Sequence, residues 1–217
     1  MATALRHWLG AKKYRMGQAI RALAYRTPTP VGRAVVNRFW EEQAAIIHKQ
    51  WGEENHDFAV LETIFAAYAE EYQPLSVLDV GCGSGRLFGL YQQCGITDIV
   101  GMDISENALA LAGARYPTIP TFQGKVEELE YPTDRFTFAI CNRILQHIPP
   151  AAINGAIGKL CTICRMVYVN ELTESDQLHE EFFMFRHDYQ ALFAEHGFRL
   201  WETGVIGKQT YSLYGAD

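Results

Sequence analysis

From Pro74 onward, short apolar runs alternate with stretches of helical spacing. Leu75–Val80, Asp98–Met102, Ile119–Phe122, Phe136–Cys141 and Met166–Val169 read as strands, followed by two more near 198–203 and 208–214. Between them, Arg86–Cys94, Glu106–Tyr116, Ala151–Leu160 and the segment near 187–196 read as helices. Such alternation argues for βαβ units around a parallel sheet buried on both faces. Before Pro74 the pattern is helical only. Residues 1–26 carry Leu5, Trp8, Leu9, Met16, Ile20 and Leu23 near helical spacing, with basic residues between them. Thr27-Pro28-Thr29-Pro30 interrupts that helix. Two further helices are expected near 34–51 and 57–71, the second with Phe58, Leu61, Ile64, Phe65 and Tyr68 on one face. The change of pattern divides the chain into an N-terminal helical extension, 1–73, and a core, 74–217.

Composition narrows the class. A chain of 217 residues suits one domain. Its 48% apolar and 20% charged content is that of a soluble globular protein. No apolar run approaches the ~18 residues that span a membrane, and the N-terminus lacks a secretory signal's apolar stretch, so a cytoplasmic protein is expected. Five cysteines, an odd number, argue against a disulfide framework. Cys161 and Cys164 form a C-x-x-C pair, but no second pair accompanies it, so no metal is expected. Net charge is −6 and unevenly spread. Residues 1–33 hold seven basic residues and no acid, leaving 12 basic against 25 acidic residues in the body. That acidic body disfavours duplex nucleic acid as a substrate. The basic stretch 1–33 has the composition of an interfacial helix that contacts an anionic membrane, a lipid-linked glycan or an acidic carrier. The alternative is that it packs on its own acidic body.

The densest chemical signal is Val77-Leu78-Asp79-Val80-Gly81-Cys82-Gly83-Ser84-Gly85, an apolar strand entering a glycine-rich turn that opens a helix. Glycines let a ligand approach the backbone closely, and free N–H groups at the helix start favour an anionic group. Dinucleotide sites use G-x-G-x-x-G; here the third glycine comes one residue early, and Arg86 stands where that pattern needs glycine. Asp79 precedes the turn. A carboxylate there repels a pyrophosphate but pairs with an ammonium, which S-adenosylmethionine has and NAD lacks. Asp103 ends the next strand, where a carboxylate can accept both ribose hydroxyls.

On these residues the chain resembles the class I S-adenosylmethionine-dependent methyltransferases, in particular the small-molecule type grouped around ubiquinone biosynthesis, over about residues 74–203. The first motif matches at Leu78–Gly85 and the second-strand acid at Asp103. Gly124-Lys125-Val126-Glu127-Glu128-Leu129 resembles the adenine-contacting block, which implies that Val126 offers its backbone N–H and Glu127 flanks the adenine. Phe136–Asn142, Leu145–Ile148, Phe185–Tyr189 and Gly197-Phe198 match later blocks; Thr137 stands where the family usually has Asp. The resemblance implies a Rossmann-like, doubly wound, mostly parallel seven-stranded sheet with the last strand antiparallel. It also implies a cofactor surface of Asp79, Gly81, Cys82, Gly83, Gly85, Asp103, Ile104, Val126, Glu127 and Asn142.

The expected function is methyl transfer from S-adenosylmethionine to a small-molecule acceptor, by O-methylation. The alternatives are a carrier-bound, lipid-linked or protein acceptor, or a cofactor-binding scaffold without catalysis. For a hydroxyl acceptor His147 is the candidate general base, with a pKa near neutrality. Glu171 and Trp40 are candidates for acceptor binding, Glu171 from the rim of the fifth strand. Phe39, Trp51, Phe182, Phe183 and Phe185 supply aromatic surface that could exclude water, or simply cover the sheet. His187 is expected at the surface near a helix cap.

Overall fold

The computed structural model describes residues 30–51, 55, 57–172 and 183–216. The helix expected over 1–26, the basic stretch's proposed contacts and Phe182 lie outside the described residues, as does the side chain of Trp51. Helix α1 (Pro30–Trp51) begins at a proline, whose fixed φ suits the first helical position. Then follow α2 (Phe58–Ala69), β1 (Ser76–Val80), α3 (Phe88–Gln93), β2 (Asp98–Asp103), α4 (Glu106–Arg115), β3 (Thr121–Gln123), β4 (Phe136–Asn142), α5 (Pro150–Ile163), β5 (Cys164–Leu172), α6 (Tyr189–Ala194), β6 (Arg199–Ile206) and β7 (Gln209–Gly215). Short 3-10 turns cover Val126–Glu128 and Leu145–His147.

The seven strands form one sheet in the order β3-β2-β1-β4-β5-β7-β6. Strands β1 to β5 pair in parallel, and β7 runs antiparallel to both β5 and β6. This is the expected Rossmann-like, doubly wound arrangement with an antiparallel last strand. Strand order reverses between β1 and β4, so the carboxyl ends of these two strands flank the switch point, where ligands of such sheets bind.

Alternating side chains of β1, β4 and β5 build two cores. On one face Leu78, Val80, Ala139, Cys141, Val167 and Val169 pack against Ile153, Ile157, Leu160 and Ile163 of α5 and Phe193 of α6. On the other, Val77, Phe138, Ile140, Met166 and Tyr168 meet Leu61, Ile64 and Phe65 of α2 and Phe88, Leu90 and Tyr91 of α3. Thr137 is buried in a reciprocal bond with Ser76, accepting from the Ser76 N–H at 3.1 Å and tying β4 to β1. Cys161 and Cys164 sit where α5 passes into β5, both free, and burial pushes the Cys161 thiol to about 12. Among the described residues no helix is long and apolar enough to cross a membrane.

Candidate cofactor and acceptor site

The turn after β1 is built on backbone conformations that only glycine adopts cheaply. Gly81, Gly83 and Gly85 have φ of 68°, 55° and 75°. A Cβ on Gly81 would lie 2.1 Å from Cδ1 of Ile144, whose side chain closes over the turn from the loop after β4. A Cβ on Gly83 would meet nothing within 4 Å. Gly83 therefore borders open space, and a ligand can lie against its backbone.

The N–H groups of this turn are spent internally. Cys82 donates to the carbonyl of Met102 at 2.9 Å, Gly85 to that of Cys82 at 2.9 Å, and Gly83 to Oδ2 of Asp103 at 2.9 Å. The anionic cradle expected from the glycine pattern is thus not formed by these three amides. Cys82 offers neither its N–H nor its buried thiol, which lies against Gly101.

Asp103, at the carboxyl end of β2, also accepts the Ser105 N–H through Oδ1 at 2.9 Å. One backbone bond to each oxygen fixes the carboxylate plane and leaves a lone pair on each. That is the geometry for a pair of vicinal hydroxyls. Burial raises the Asp103 carboxyl, and the N–H groups of Ser105 and Gly83 oppose the shift. Asp79, at the end of β1, is 2% exposed and its Oδ2 has no hydrogen-bond partner. Burial drives its pKa up to about 7, against the Tyr91 hydroxyl and the Arg86 guanidinium. A buried carboxylate with one unpartnered oxygen fits a cationic ligand group. Ile104 is half-buried just beyond Asp103, its carbonyl accepting from Gln123 Nε2 at 3.0 Å. Across the crevice the 3-10 turn places Val126 inward and Glu127 outward.

A ligand ammonium paired with Asp79 would bind in a pH-dependent way. The raised pKa means that the unliganded fold favours protonated Asp79, a contribution lost as pH rises through about 7. Pairing with an ammonium needs the ionised form. Binding at pH 7 should therefore expel about half a proton, and affinity should rise from pH 6 to pH 8. Calorimetry in two buffers of different ionisation enthalpy measures this; a buffer-independent heat would remove Asp79 from the ammonium.

Arg86 is turned toward the start of α2. It makes two bonds to the Asp57 carboxylate, at 2.8 and 2.7 Å, and Asp57 is 2% exposed. Burial would raise the Asp57 carboxyl, but Arg86 outweighs it and holds it below the ordinary carboxylate range. The Asn142 amide also donates to Asp57, while Asn142 Oδ1 accepts from Asn170, which in turn donates to Gln209 at 2.5 Å. Asn142, expected on the cofactor surface, is a link in this polar chain. The chain joins the start of α2 to the ends of β4, β5 and β7.

On the acceptor side, Trp40 of α1 lies edge-on to His147, ring centroids 4.8 Å apart, and Phe183 lies 5.5 Å from His147 and 5.9 Å from Trp40. Phe39 joins Phe183 at 4.9 Å, and Phe185 packs behind them. The structure thus brings together Phe39, Trp40, His147, Phe183 and Phe185. His147 Nδ1 lies 2.8 Å from the Phe183 carbonyl; that oxygen can only accept, so Nδ1 carries the proton and Nε2 a lone pair. Burial pulls the His147 pKa to about 4, against the Phe183 bond, with Arg143 lowering it further. The neutral pKa expected from sequence is corrected: the aromatic enclosure keeps this imidazole uncharged.

Glu171 lies buried beneath the Leu145–His147 turn, its Oε1 accepting from the Gln146 N–H at 3.2 Å while its Oε2 has no hydrogen-bond partner among the described residues. Burial pushes it up to about 8, and the N–H groups of Gln146, Leu145 and Ile144 counter the shift. Its part is to hold the turn that carries His147. His187 is half-buried, Nε2 against the Ile148 carbonyl at 2.9 Å, rather than at the surface; Asp188 caps α6.

Comparisons with known proteins agree with this geometry. Residues 77–166 match the methyltransferase domain family. No curated protein matches the sequence. Among solved structures, the chain is similar to magnesium protoporphyrin IX methyltransferase from Synechocystis with bound S-adenosylhomocysteine, at 16% identity and a TM-score of 0.67, over 85% of this chain and 100% of that one. It is also similar to 1,6-didemethyltoxoflavin-N1-methyltransferase from Burkholderia thailandensis, at 18% identity and a TM-score of 0.67, over 85% and 89% of the two chains. The matched segment spans less than half of the chain, and the fold is that of the class I, Rossmann-like methyltransferase structures.

Proposed function

We propose that this protein transfers the methyl group of S-adenosylmethionine to the oxygen of a small, largely apolar acceptor. The cofactor would lie across Gly83 with its ammonium at Asp79 and its ribose hydroxyls on Asp103; Ile104, Val126 and Glu127 would flank the adenine. The observation that carries the acceptor reading is the aromatic wall of Trp40, His147 and Phe183, which joins α1 to the loops after β4 and β5. The two similar structures act, by their descriptions, on small molecules, and this supports a small acceptor.

In the transfer the sulfur–methyl bond breaks as the oxygen–methyl bond forms, and the acceptor hydroxyl releases a proton. His147 would take it on Nε2, which in the unliganded fold lies 3.4 Å from the Gln146 amide nitrogen. A base of pKa about 4 suits a late transfer, because the hydroxyl proton turns strongly acidic only as the new bond forms. His147→Ala should lower the maximal rate by roughly 10²–10⁴-fold with cofactor affinity unchanged, and the wild-type maximal rate at saturating cofactor should stay flat above pH 5. A mutant rate within threefold of wild type would return His147 to a packing role. The acceptor is found by incubating the protein with metabolite extract and labelled S-adenosylmethionine, then reading labelled products by mass spectrometry. Label confined to protein or lipid-linked material would overturn the small-molecule reading.

A further inference from the structure

The Glu41 side chain ties helix α1 to the start of α4. The Glu41 carboxylate accepts from the Glu106 N–H at 2.6 Å, the Asn107 N–H at 3.0 Å and the Ser105 hydroxyl at 2.9 Å. These are the first donors of α4, which a helix cannot satisfy within itself, and a carboxylate there also meets the positive end of the helix dipole. Ser105 also donates its N–H to Asp103, the carboxylate placed for the ribose. Trp40, the residue before Glu41, packs on His147 and Phe183. Two consecutive residues of α1 thus touch the ribose side and the acceptor wall, which come from opposite halves of the doubly wound sheet. An acid in this position has no role in capping α1 itself: it lies in the interior of that helix, 64 residues from the serine it holds.

We infer that Glu41 is a positioning residue that latches α1 over the cofactor, so that the ribose-binding end of β2 and the acceptor wall around His147 form together. The inference rests on the cofactor placement proposed above. Release of the latch frees α1 to lift, which opens the ribose side to solvent and withdraws Trp40 from His147 at the same time. Glu41 touches neither the cofactor nor the acceptor; it acts through Ser105 on one side and through Trp40 on the other.

The test uses the full chain and two variants, Glu41→Ala and Glu41→Gln, with two readouts that need no acceptor. Hydrogen exchange without ligand reads the Glu106 and Asn107 amides; they should exchange at least tenfold faster in Glu41→Ala, with an intermediate rate in Glu41→Gln, which keeps one acceptor oxygen. Stopped-flow release of S-adenosylhomocysteine should be about tenfold faster in Glu41→Ala while association changes by less than twofold, the pattern of a lost cover rather than a damaged pocket. Unchanged exchange at the two amides overturns the latch, whatever the ligand does. Faster exchange with a release rate within twofold of wild type overturns its coupling to the cofactor. Absence of S-adenosylhomocysteine binding by the wild type would instead sink the cofactor placement, with the amide readout still deciding the latch.

Discussion

Asp103→Ala should weaken S-adenosylmethionine binding by roughly 150-fold or more. Two hydroxyls donating to a carboxylate are each worth about 1.5–3 kcal/mol, and even the lower figure for both sums to about 3 kcal/mol. The same carboxylate holds the Gly83 and Ser105 amides, so the substitution also loosens the turn on which the ligand lies. The domain should stay folded, because the half-buried site lets water reach the freed amides. Asp103→Asn is not a mild control. Both oxygens accept from backbone N–H groups, and an amide would set its own NH2 against one of them. Calorimetry with the melting curve measured in parallel decides the matter; a dissociation constant within threefold of wild type in a folded mutant would separate Asp103 from the ribose.

The largest effect on stability is expected at Arg86. Its removal leaves the Asp57 carboxylate buried with only Asn142 to face it, and stranding a buried charge costs about 3–5 kcal/mol. For a chain of this size that corresponds to a fall in melting temperature of roughly 6–20 °C. Replacing both partners by apolar residues should recover much of the loss, since the penalty belongs to the unpaired charge and not to the missing pair. The pH dependence has a defined sign. Asp57 titrates below its ordinary value in the fold, so its contribution is complete above the usual carboxylate range and fades as pH falls through the lowered value. Arg86→Ala should therefore narrow its deficit on acidification. A melting temperature within 2 °C of wild type at neutral pH would mean that the pair is not a support of the fold.

Much of this was legible because burial on two faces leaves continuous apolar runs in the sequence. Val77–Val80 and Phe136–Cys141 identify the two central strands, and the acids and glycines at the strand ends mark the switch point. The boundaries that moved did so for local reasons. Helix α3 starts at Phe88 and not at Arg86 because the three left-handed glycines prolong the turn. Strand β5 extends to Leu172, beyond the apolar run ending at Val169, because Asn170 and Glu171 are buried with polar partners, Gln209 and the Gln146 amide. Polar residues inside a sheet carry no periodic signal.

The functional contacts that sequence could not show are those between distant segments. Asp57 lies 29 residues from Arg86, and Glu41 lies 64 residues from Ser105. No spacing rule joins such pairs, and both cross from the helices before residue 74 to the core that follows. His147 shows a different limit. Its place in the loop after β4 was readable, but its ionisation depends on Trp40 and Phe183, which only the fold brings to it.

On the proposed reading the switch point holds a sulfonium cofactor with an ammonium and a ribose, and not a dinucleotide. Titration of the purified full chain with S-adenosylhomocysteine and with NAD, by calorimetry under one condition, tests it directly. Saturable binding of S-adenosylhomocysteine with little or no response to NAD is the expected result. Tight NAD binding with no heat from S-adenosylhomocysteine would contradict it, and with it the roles assigned to Asp79 and Asp103.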